Sequence, residues 1–247
     1  MTRMVLKVGG NELDDPAFVA GLVQAVAALP EPPVLVHGGG KEISQLGLDL
    51  GLVATFVGGM RVTDAAMLRL AVMVMAGLAN KRLVAAFQSA GVRAVGVSGV
   101  DLGLLQVSRW RQAGGDLGYV GHVDGVDTPA LHSLLDLGVV VLSPISADAA
   151  GQLYNVNADH VAQAVARALR ADALVFVTNV PGVLRDGETL PHLTRTEIDA
   201  LIKEGVIAGG MVAKVRAALD AIGDGVDRVR IVNLACLADG GTTITEA

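Results

Sequence analysis

An α/β fold, with a mostly parallel sheet between two helical layers, is the class this sequence predicts. Two observations lead to it. Short apolar runs alternate with amphipathic helical patterns along most of the 247 residues, the rhythm of strands joined by crossover helices. The runs are also continuously apolar, as in Val34-Leu35-Val36 and Val139-Val140-Val141-Leu142, which marks strands covered on both faces and therefore parallel pairing. The expected architecture is a three-layer αβα sandwich in one domain, residues 1–247, with two lobes. The first alternating series ends near residue 170, dividing an N-lobe (about 1–170) from a C-lobe (about 171–247).

In chain order, Met4–Val8 reads as a strand, and Asp15 with Pro16 opens a helix whose apolar face is Val19, Leu22, Val23, Val26 and Leu29. The strand 34–36 runs into His37-Gly38-Gly39-Gly40, followed by a helix over 41–50. Thr63 is expected to cap a long helix that is apolar nearly all round, through Met67, Leu68, Leu70, Val72, Met73, Val74 and Met75. Such a helix needs cover on every side, from the core or from a second subunit. A strand at 94–97 is followed by alternation over 104–123 that breaks at Ala113-Gly114-Gly115-Asp116, the pattern of a β-hairpin. Trp110 is expected to fill part of its apolar face. Thr128-Pro129 opens a helix closed by Gly138, 139–142 is a strand and 148–151 a turn. A helix over 158–170, a strand at Ala173–Val177, a turn at Val180-Pro181-Gly182, and a Thr194/Glu197 capping box follow. The helix after Lys214 runs to about Ile222, and 228–232 is the last strand read from the pattern.

Composition bounds the partners. The chain is 52% hydrophobic and 18% charged, a globular balance. Its net charge of −6 and the lack of any Lys/Arg-rich run argue against nucleic acid or an anionic membrane as partner. Cys236 is the only cysteine, which excludes an intrachain disulfide framework or cysteine cluster; beside Leu234 and Leu237 it reads as a small core residue. Five histidines show no ligand spacing, so no protein-held metal is expected. No signal-peptide core is present, and the most apolar stretch, 68–78, carries Arg69 and is too short to cross a bilayer. A cytoplasmic protein is expected.

Chemistry is suggested first by two lysines beside glycines. Lys7 ends a strand that runs into Gly9-Gly10, and Lys214 follows Gly209-Gly210-Met211 at the start of a helix. A cation at the end of a buried strand is costly without an anion to meet it, while glycine turns and helix N-termini admit phosphate. The pair points to a phosphate gripped from two sides, and so to phosphoryl transfer. Gly38-Gly39-Gly40 stands where ligands bind parallel sheets; three glycines exceed what a permissive turn needs, and exposed N–H groups suit an anion. Neither G-x-x-x-x-G-K-[ST] nor G-x-G-x-x-G opening a helix is present. Asn155 and Asn157 fall on one face of a strand end, with Asp159 just beyond; Asn157 reads equally as a helix cap. Arg61 could clamp a carboxylate bidentately or be a solvated loop arginine. His37 is expected to be a structural hydrogen-bonding residue. Ser98 and Ser143 lack a nucleophile-elbow setting.

Taken together, these motifs resemble the amino-acid kinase family over nearly the whole chain. The resemblance is carried, in order, by Lys7-Val8-Gly9-Gly10, His37-Gly38-Gly39-Gly40, Gly59-Met60-Arg61-Val62-Thr63, Asn155-Val156-Asn157-Ala158-Asp159, Asn179-Val180-Pro181-Gly182-Val183 and Gly210-Met211-Val212-Ala213-Lys214. It is strongest to the branch that phosphorylates the γ-carboxylate of N-acetyl-L-glutamate with ATP in arginine biosynthesis. The resemblance implies an N-lobe that binds the acylated amino acid and dimerises through the helix after Thr63, and a C-lobe that binds ATP. It implies that Gly39, Gly40, Arg61, Asn155 and Asn157 bind the substrate, that Lys7 and Lys214 contact the moving phosphoryl group, and that Asp159 holds those lysines. Gly9, Gly10, Thr178, Asn179, Gly182, Val183, Leu184, Ala208, Gly209 and Met211 would bind ATP, with Mg²⁺ held mainly by the phosphates. Two alternatives stay open. One is a kinase of α-aminoadipate carried on a small acidic protein, for which Arg109 and Arg111 on the hairpin would be the basic contacts; the other is a silent sensor of ATP or amino acid. The chain starts on its first strand, whereas arginine-inhibited hexameric members carry a preceding helix, so an arginine-insensitive homodimer is expected.

Overall fold

The structure, a computed structural model, describes residues 3–10, 13–57, 60–111 and 116–246. Gly59 and residues 113–115 of the expected hairpin turn lie outside these. The chain runs β1 (Met4–Val8), α1 (Pro16–Ala27), β2 (Val34–His37), α2 (Gly40–Asp49), β3 (Phe56–Val57) and β4 (Met60–Arg61). One helical run follows, made of α3 (Ala65–Ala71), a π-helical stretch (Val72–Ala79) and α4 (Asn80–Ser89). Next come β5 (Ala94–Ser98), β6 (Leu105–Arg109), β7 (Val120–Val126), α5 (Thr128–Leu135), β8 (Val139–Ser143), β9 (Ile145–Ala147), β10 (Leu153–Val156) and α6 (Ala158–Leu169). The last third holds β11 (Ala173–Val177), β12 (Leu184–Arg185), β13 (Glu188–Thr189), β14 (His192–Thr194), α7 (Arg195–Lys203), α8 (Gly210–Gly223), β15 (Val229–Val232) and β16 (Thr242–Thr245).

Eight strands form the central sheet in the order β14-β16-β15-β11-β1-β2-β8-β5. Every neighbouring pair is parallel except β15 with β16. Alternate residues of the central strands feed two separate cores. Val5, Val34, Val36, Leu174 and Phe176 pack with Val161, Val165, Ile198 and Val215 of α6, α7 and α8. Leu6, Val8, Leu35, Val141 and Val175 pack with Leu22, Val23, Leu83 and Phe87 of α1 and α4. This is the three-layer sandwich, and it explains why β2, β8 and β11 are buried along their whole length. The sheet crosses residue 170 without a break, because β1 pairs β11 along all five residues.

Several expectations are corrected. A four-stranded closed barrel, β10-β7-β6-β9, stands beside the sheet; only its β6–β7 hairpin is visible in the alternation. Thr63 does not cap the long helix: Asp64 does, its side chain accepting from Met67 N–H, while Thr63 is fully buried and donates to Arg61 C=O. The helical run extends over Ala65–Ser89, 25 residues, and by length and composition alone could cross a membrane, with 44% of its most apolar window buried inside the chain. It is therefore longer than the 68–78 stretch suggests, and Met73 and Leu78 remain 56% and 51% exposed on the single chain. Trp110 does not line the hairpin's apolar face; its ring stacks on His160 at 5.2 Å and tilts against His122 at 5.5 Å.

The register of the three central strands decides where chemistry can occur. Val8 of β1 pairs Val177 of β11 on one side and His37 of β2 on the other. Gly9-Gly10, Gly38–Gly40 and Thr178-Asn179 therefore leave the same edge of the sheet side by side, one strand spacing of about 4.8 Å apart. The first two loops touch: a Cβ on Gly10 would lie 2.5 Å from Gly39 N and 2.7 Å from Gly39 Cα. Backbone cannot yield as a side-chain tip can, so Gly10→Ala is expected to lower unfolding free energy by about 1–3 kcal/mol with an unchanged urea m-value. An urea midpoint equal to that of the unsubstituted chain would contradict this.

Candidate active site

Lys7 occupies the last turn of the pleat before the Gly9-Gly10 loop. Its ammonium meets Asp159 of α6 at 2.8 Å, with the two side chains 20% and 32% exposed. The anion that the sequence demands for this cation is thus supplied within the chain. Asp159 is placed by Asn157, whose side-chain oxygen caps α6 by accepting from Asp159 N–H at 2.7 Å. The capping role of Asn157 is real, and the same residue also lines a cavity.

That cavity, about 160 Å³, is lined by Gly38, Gly39, Gly40, Arg61, Asn155 and Asn157 among others. All five residues expected to bind the acylated substrate thus converge on one space, from β2–α2, β4 and the β10–α6 junction. The geometry is specific. Gly39 precedes α2 and no side chain caps that helix, leaving its first N–H groups for a ligand. Arg61 Nη2 donates to Gly40 C=O at 2.8 Å and to Ser44 Oγ at 2.9 Å. Its guanidinium lies 4.7 Å above the Phe56 ring, a cation–π contact made possible because Phe56 pairs Arg61 across β3 and β4. Arg61 is only 8% exposed, its Nη1 is buried without a partner, and burial pushes it below the ordinary arginine value. It is no solvated loop arginine. Asn155 Nδ2 donates to Thr63 Oγ at 3.2 Å, so the buried Thr63 fixes this amide instead of the helix.

The second lysine stands apart from the first. Lys214 lies in the second turn of α8, partly buried, and among the described residues it forms no ion pair. Asp159 therefore holds Lys7 and not Lys214. The helix opens at Gly209, with φ +56°, and has no side-chain cap. Met211 N–H bonds back to Ala208 C=O at 3.2 Å, closing the turn that bears Ala208 and Gly209.

The remaining expected nucleotide residues follow β11. Thr178 Oγ accepts from Val180 N–H at 3.0 Å, a turn that leaves Asn179 exposed at the sheet edge. Gly182 presses on Thr242, where a Cβ would fall 2.6 Å from Thr242 Oγ. Val183 departs from the expectation. It is 1% exposed, its N–H donates to Thr242 Oγ at 2.8 Å and its C=O accepts from Leu190 N–H at 2.9 Å, so it packs the core while neighbouring Leu184 stays half-buried. Phe56 and Ser44 shape the site without any signal in the sequence, while Thr63 and Met75 stand in patterns that mark a motif and an apolar helix rather than the site; only folding brings all four to it.

Comparison with known proteins agrees with this arrangement. Residues 2–233 match the amino acid kinase family. The chain is 54% identical over 246 residues to an acetylglutamate kinase of Chloroflexus aurantiacus, covering 99% of this chain and 97% of that protein. It is 45% identical over 249 residues to an acetylglutamate kinase of Methanopyrus kandleri, covering 97% and 98%. Among solved structures, an N-acetylglutamate synthase from Neisseria gonorrhoeae, determined with coenzyme A and N-acetyl-glutamate, superposes with a TM-score of 0.84 at 27% identity over all of this chain and 60% of that one. Carbamate kinase from Giardia lamblia shares the fold, with a TM-score of 0.69 at 16% identity over 100% and 99% of the two chains.

His37, behind the triple glycine, is fully buried and is pushed down to about 4, first by burial and further by the Lys81 charge. A histidine whose folded value is lowered adds stability that is complete above its unfolded value near 6.5 and is lost as pH falls toward about 4. His37→Gln removes this linkage. The stability advantage of the unsubstituted chain over the variant is therefore expected to shrink from about pH 6.5 to 4; denaturant titrations of both across that range check it, and a constant difference would contradict it.

Proposed function

The chain belongs to the amino acid kinase family, and on that basis we propose that it is an acetylglutamate kinase, transferring the γ-phosphoryl group of ATP to the γ-carboxylate of N-acetyl-L-glutamate in arginine biosynthesis. The observation that carries the substrate assignment is Arg61: a buried guanidinium with a free Nη1, opposite the uncapped α2 N-terminus and the Asn155 amide, in one cavity. Such a site matches a small molecule bearing an α-carboxylate and an amide. Arg61 takes the carboxylate, Asn155 the acetamido group, and the Gly39 and Gly40 N–H groups the reacting end. Asn157 completes the wall.

The chemistry asks little acid–base work of the protein. The attacking carboxylate is ionised at neutral pH, so no proton is removed. One of its oxygens bonds to the γ-phosphorus while the bond from phosphorus to the β,γ-bridging oxygen breaks, and the electron pair leaves on ADP. The obstacle is anion meeting anion, and the remedy is placed positive charge. In this reading Lys7, anchored by Asp159, approaches from the acyl side, and Lys214 from the α8 side. Gly9, Gly10, Thr178, Asn179, Gly182, Leu184, Ala208, Gly209 and Met211 surround the nucleotide, with Val183 supporting them from the core. Among the described residues no group of three or more His, Cys, Asp or Glu side chains could hold a metal ion; Mg²⁺ would enter with the nucleotide and would screen its charge. The N-lobe then carries the acyl site and the C-lobe the nucleotide site, on one continuous sheet. Arg109 is paired with Asp116 at 2.6 Å and 2.9 Å, which leaves the exposed Arg111 as the hairpin's basic contact for an acidic carrier protein. A cytoplasmic enzyme fits these substrates.

With Mg-ATP, N-acetylglutamate and hydroxylamine, the purified chain is expected to yield a hydroxamate, the trapped acyl phosphate. Lys7→Ala and Lys214→Ala are each expected to reduce turnover on the order of 10²-fold. Hydroxamate only with carrier-linked aminoadipate, or wild-type turnover in both variants, would overturn the assignment.

The exposed Met73 and Leu78 of the long helix are assigned to a homodimer interface, which needs roughly 800 Å² per partner. Sedimentation should show a dimer, and Met73→Glu/Leu78→Glu a folded monomer. A monomeric unsubstituted chain at micromolar concentration would contradict this.

A further inference from the structure

The π-helical stretch Val72–Ala79 interrupts an otherwise α-helical run. Such insertions change the phase of every following side chain and recur at functional sites. Here the stretch does two things. It presses Met75 against the glycine loop, where a Cβ on Gly39 would fall 2.8 Å from Met75 Cγ. It also delivers Asn80, fully buried, to the edge of the sheet behind that loop.

Asn80 is heavily committed. Its Nδ2 donates to Val141 C=O at 2.9 Å and to His37 Nε2 at 3.2 Å, with Val97 C=O sharing the same two hydrogens at 3.3 Å. Its Oδ1 accepts from Lys81 Nζ at 3.0 Å, and that ammonium also donates to Gly96 C=O at 2.8 Å. Room for the amide exists only because residue 96 is glycine: a Cβ there would lie 2.2 Å from Asn80 Oδ1. On its other side the His37 ring places Nδ1 2.9 Å from Gly38 C=O. These contacts fix a direction. The amide nitrogen can only donate, so Nε2 accepts, and the single ring proton sits on Nδ1 and is donated to Gly38. In a trans peptide the N–H points opposite to the C=O. Holding Gly38 C=O inward toward His37 therefore turns Gly39 N–H outward.

We propose that Asn80 and His37 are positioning residues for the acyl substrate, an amide-to-imidazole-to-carbonyl relay that fixes the Gly38–Gly39 peptide so that its N–H faces the incoming anion. The proposal rests on the kinase reading above. A pure packing role would be met better by apolar side chains, since a buried polar pair is useful only when every bond is made. None of the relay's hydrogen bonds reaches residues 178–184 or 208–211, although the Gly38–Gly39 peptide abuts Gly10, so its effect is expected chiefly on the acyl substrate.

Two measurements test it. In the unsubstituted chain labelled with ¹⁵N-histidine, NMR is expected to show His37 as the neutral Nδ1–H tautomer between about pH 5 and 8; an Nε2–H tautomer would overturn the relay. Asn80→Asp keeps the shape but replaces the donor by an acceptor, so the ring proton is expected to move to Nε2. Gly96→Ala displaces the amide from a position remote from the cavity. In both variants KM for N-acetylglutamate is expected to rise about tenfold, with KM for ATP within about twofold. Unchanged KM for both substrates, with turnover falling only as the folded fraction falls, would leave a structural brace and sink the proposal. Should Asn80→Asp fail to fold, Gly96→Ala and the tautomer of the unsubstituted chain still decide it. A chain that traps no hydroxamate removes the functional reading and this substrate with it, whereas trapped hydroxamate with an unmoved KM removes the relay alone.

Discussion

A lysine at the end of the innermost strand is the constraint around which this molecule is arranged. β1 lies between β11 and β2 with all of Val5, Leu6 and Val8 fully buried, and Lys7 breaks that apolar run. Its partner Asp159 can reach it only because α6 crosses beneath β1 with its first turn at the sheet edge. The strength of the pair does not explain its presence: both partners are one-fifth to one-third exposed, and such pairs add about 1 kcal/mol or less to stability. What the pair does is restrict a flexible four-carbon chain to one direction. Asn157 capping α6 through Asp159 N–H fixes the anion in turn, so the cation's position is set by a helix end rather than by a surface side chain.

The second constraint is steric. Phosphoryl transfer needs two anions brought into contact, and any side chain between the β1 and β2 loops would hold them apart. The 2.5 Å separation between the Gly10 Cβ position and Gly39 N shows how completely that space has been closed to everything but backbone. Arg61 complements it from above. Burial makes an unpaired guanidinium unfavourable, and its contacts with Gly40 C=O, Ser44 and Phe56 are all neutral. In the proposed reading a carboxylate ligand would complete the charge balance that the protein leaves open.

Much of this was legible in the chain, for identifiable reasons. Parallel strands covered on both faces betray themselves as apolar runs, so strands such as Val34–His37 and Ala173–Val177 could be read directly. Glycines after strands, and polar residues where a strand meets a helix, marked Gly39, Gly40, Asn155, Asn157 and Asp159. What stayed hidden depends on distance in the chain. The barrel joins β6 to β9 and β7 to β10, pairings set by packing rather than by any local pattern. Thr63 looked like a cap because it precedes Asp64 and a helix, yet its burial beside Asn155 is a tertiary fact. Val183 sits in a loop motif of the right kind, but Thr242, 59 residues away, claims its N–H. A π-helical register is likewise invisible to a pattern search built on 3.6 residues per turn.

The two lysines differ in a way that bears on catalysis. Lys7 is already held in the free chain, whereas Lys214, on α8, has no anionic partner among the described residues. An ammonium without a partner keeps its hydration until a phosphate displaces that water, and its interaction strengthens as the site dries. In the proposed reading, the fixed cation defines where the acceptor carboxylate and phosphorus would meet, while the unfixed one would respond to the nucleotide's arrival. Since α8 packs on β15 and β16 and β1 pairs β11 in the same sheet, the two cations share a rigid floor. On that reading positive charge would be most concentrated with both substrates bound, the state in which it favours the transferring group most.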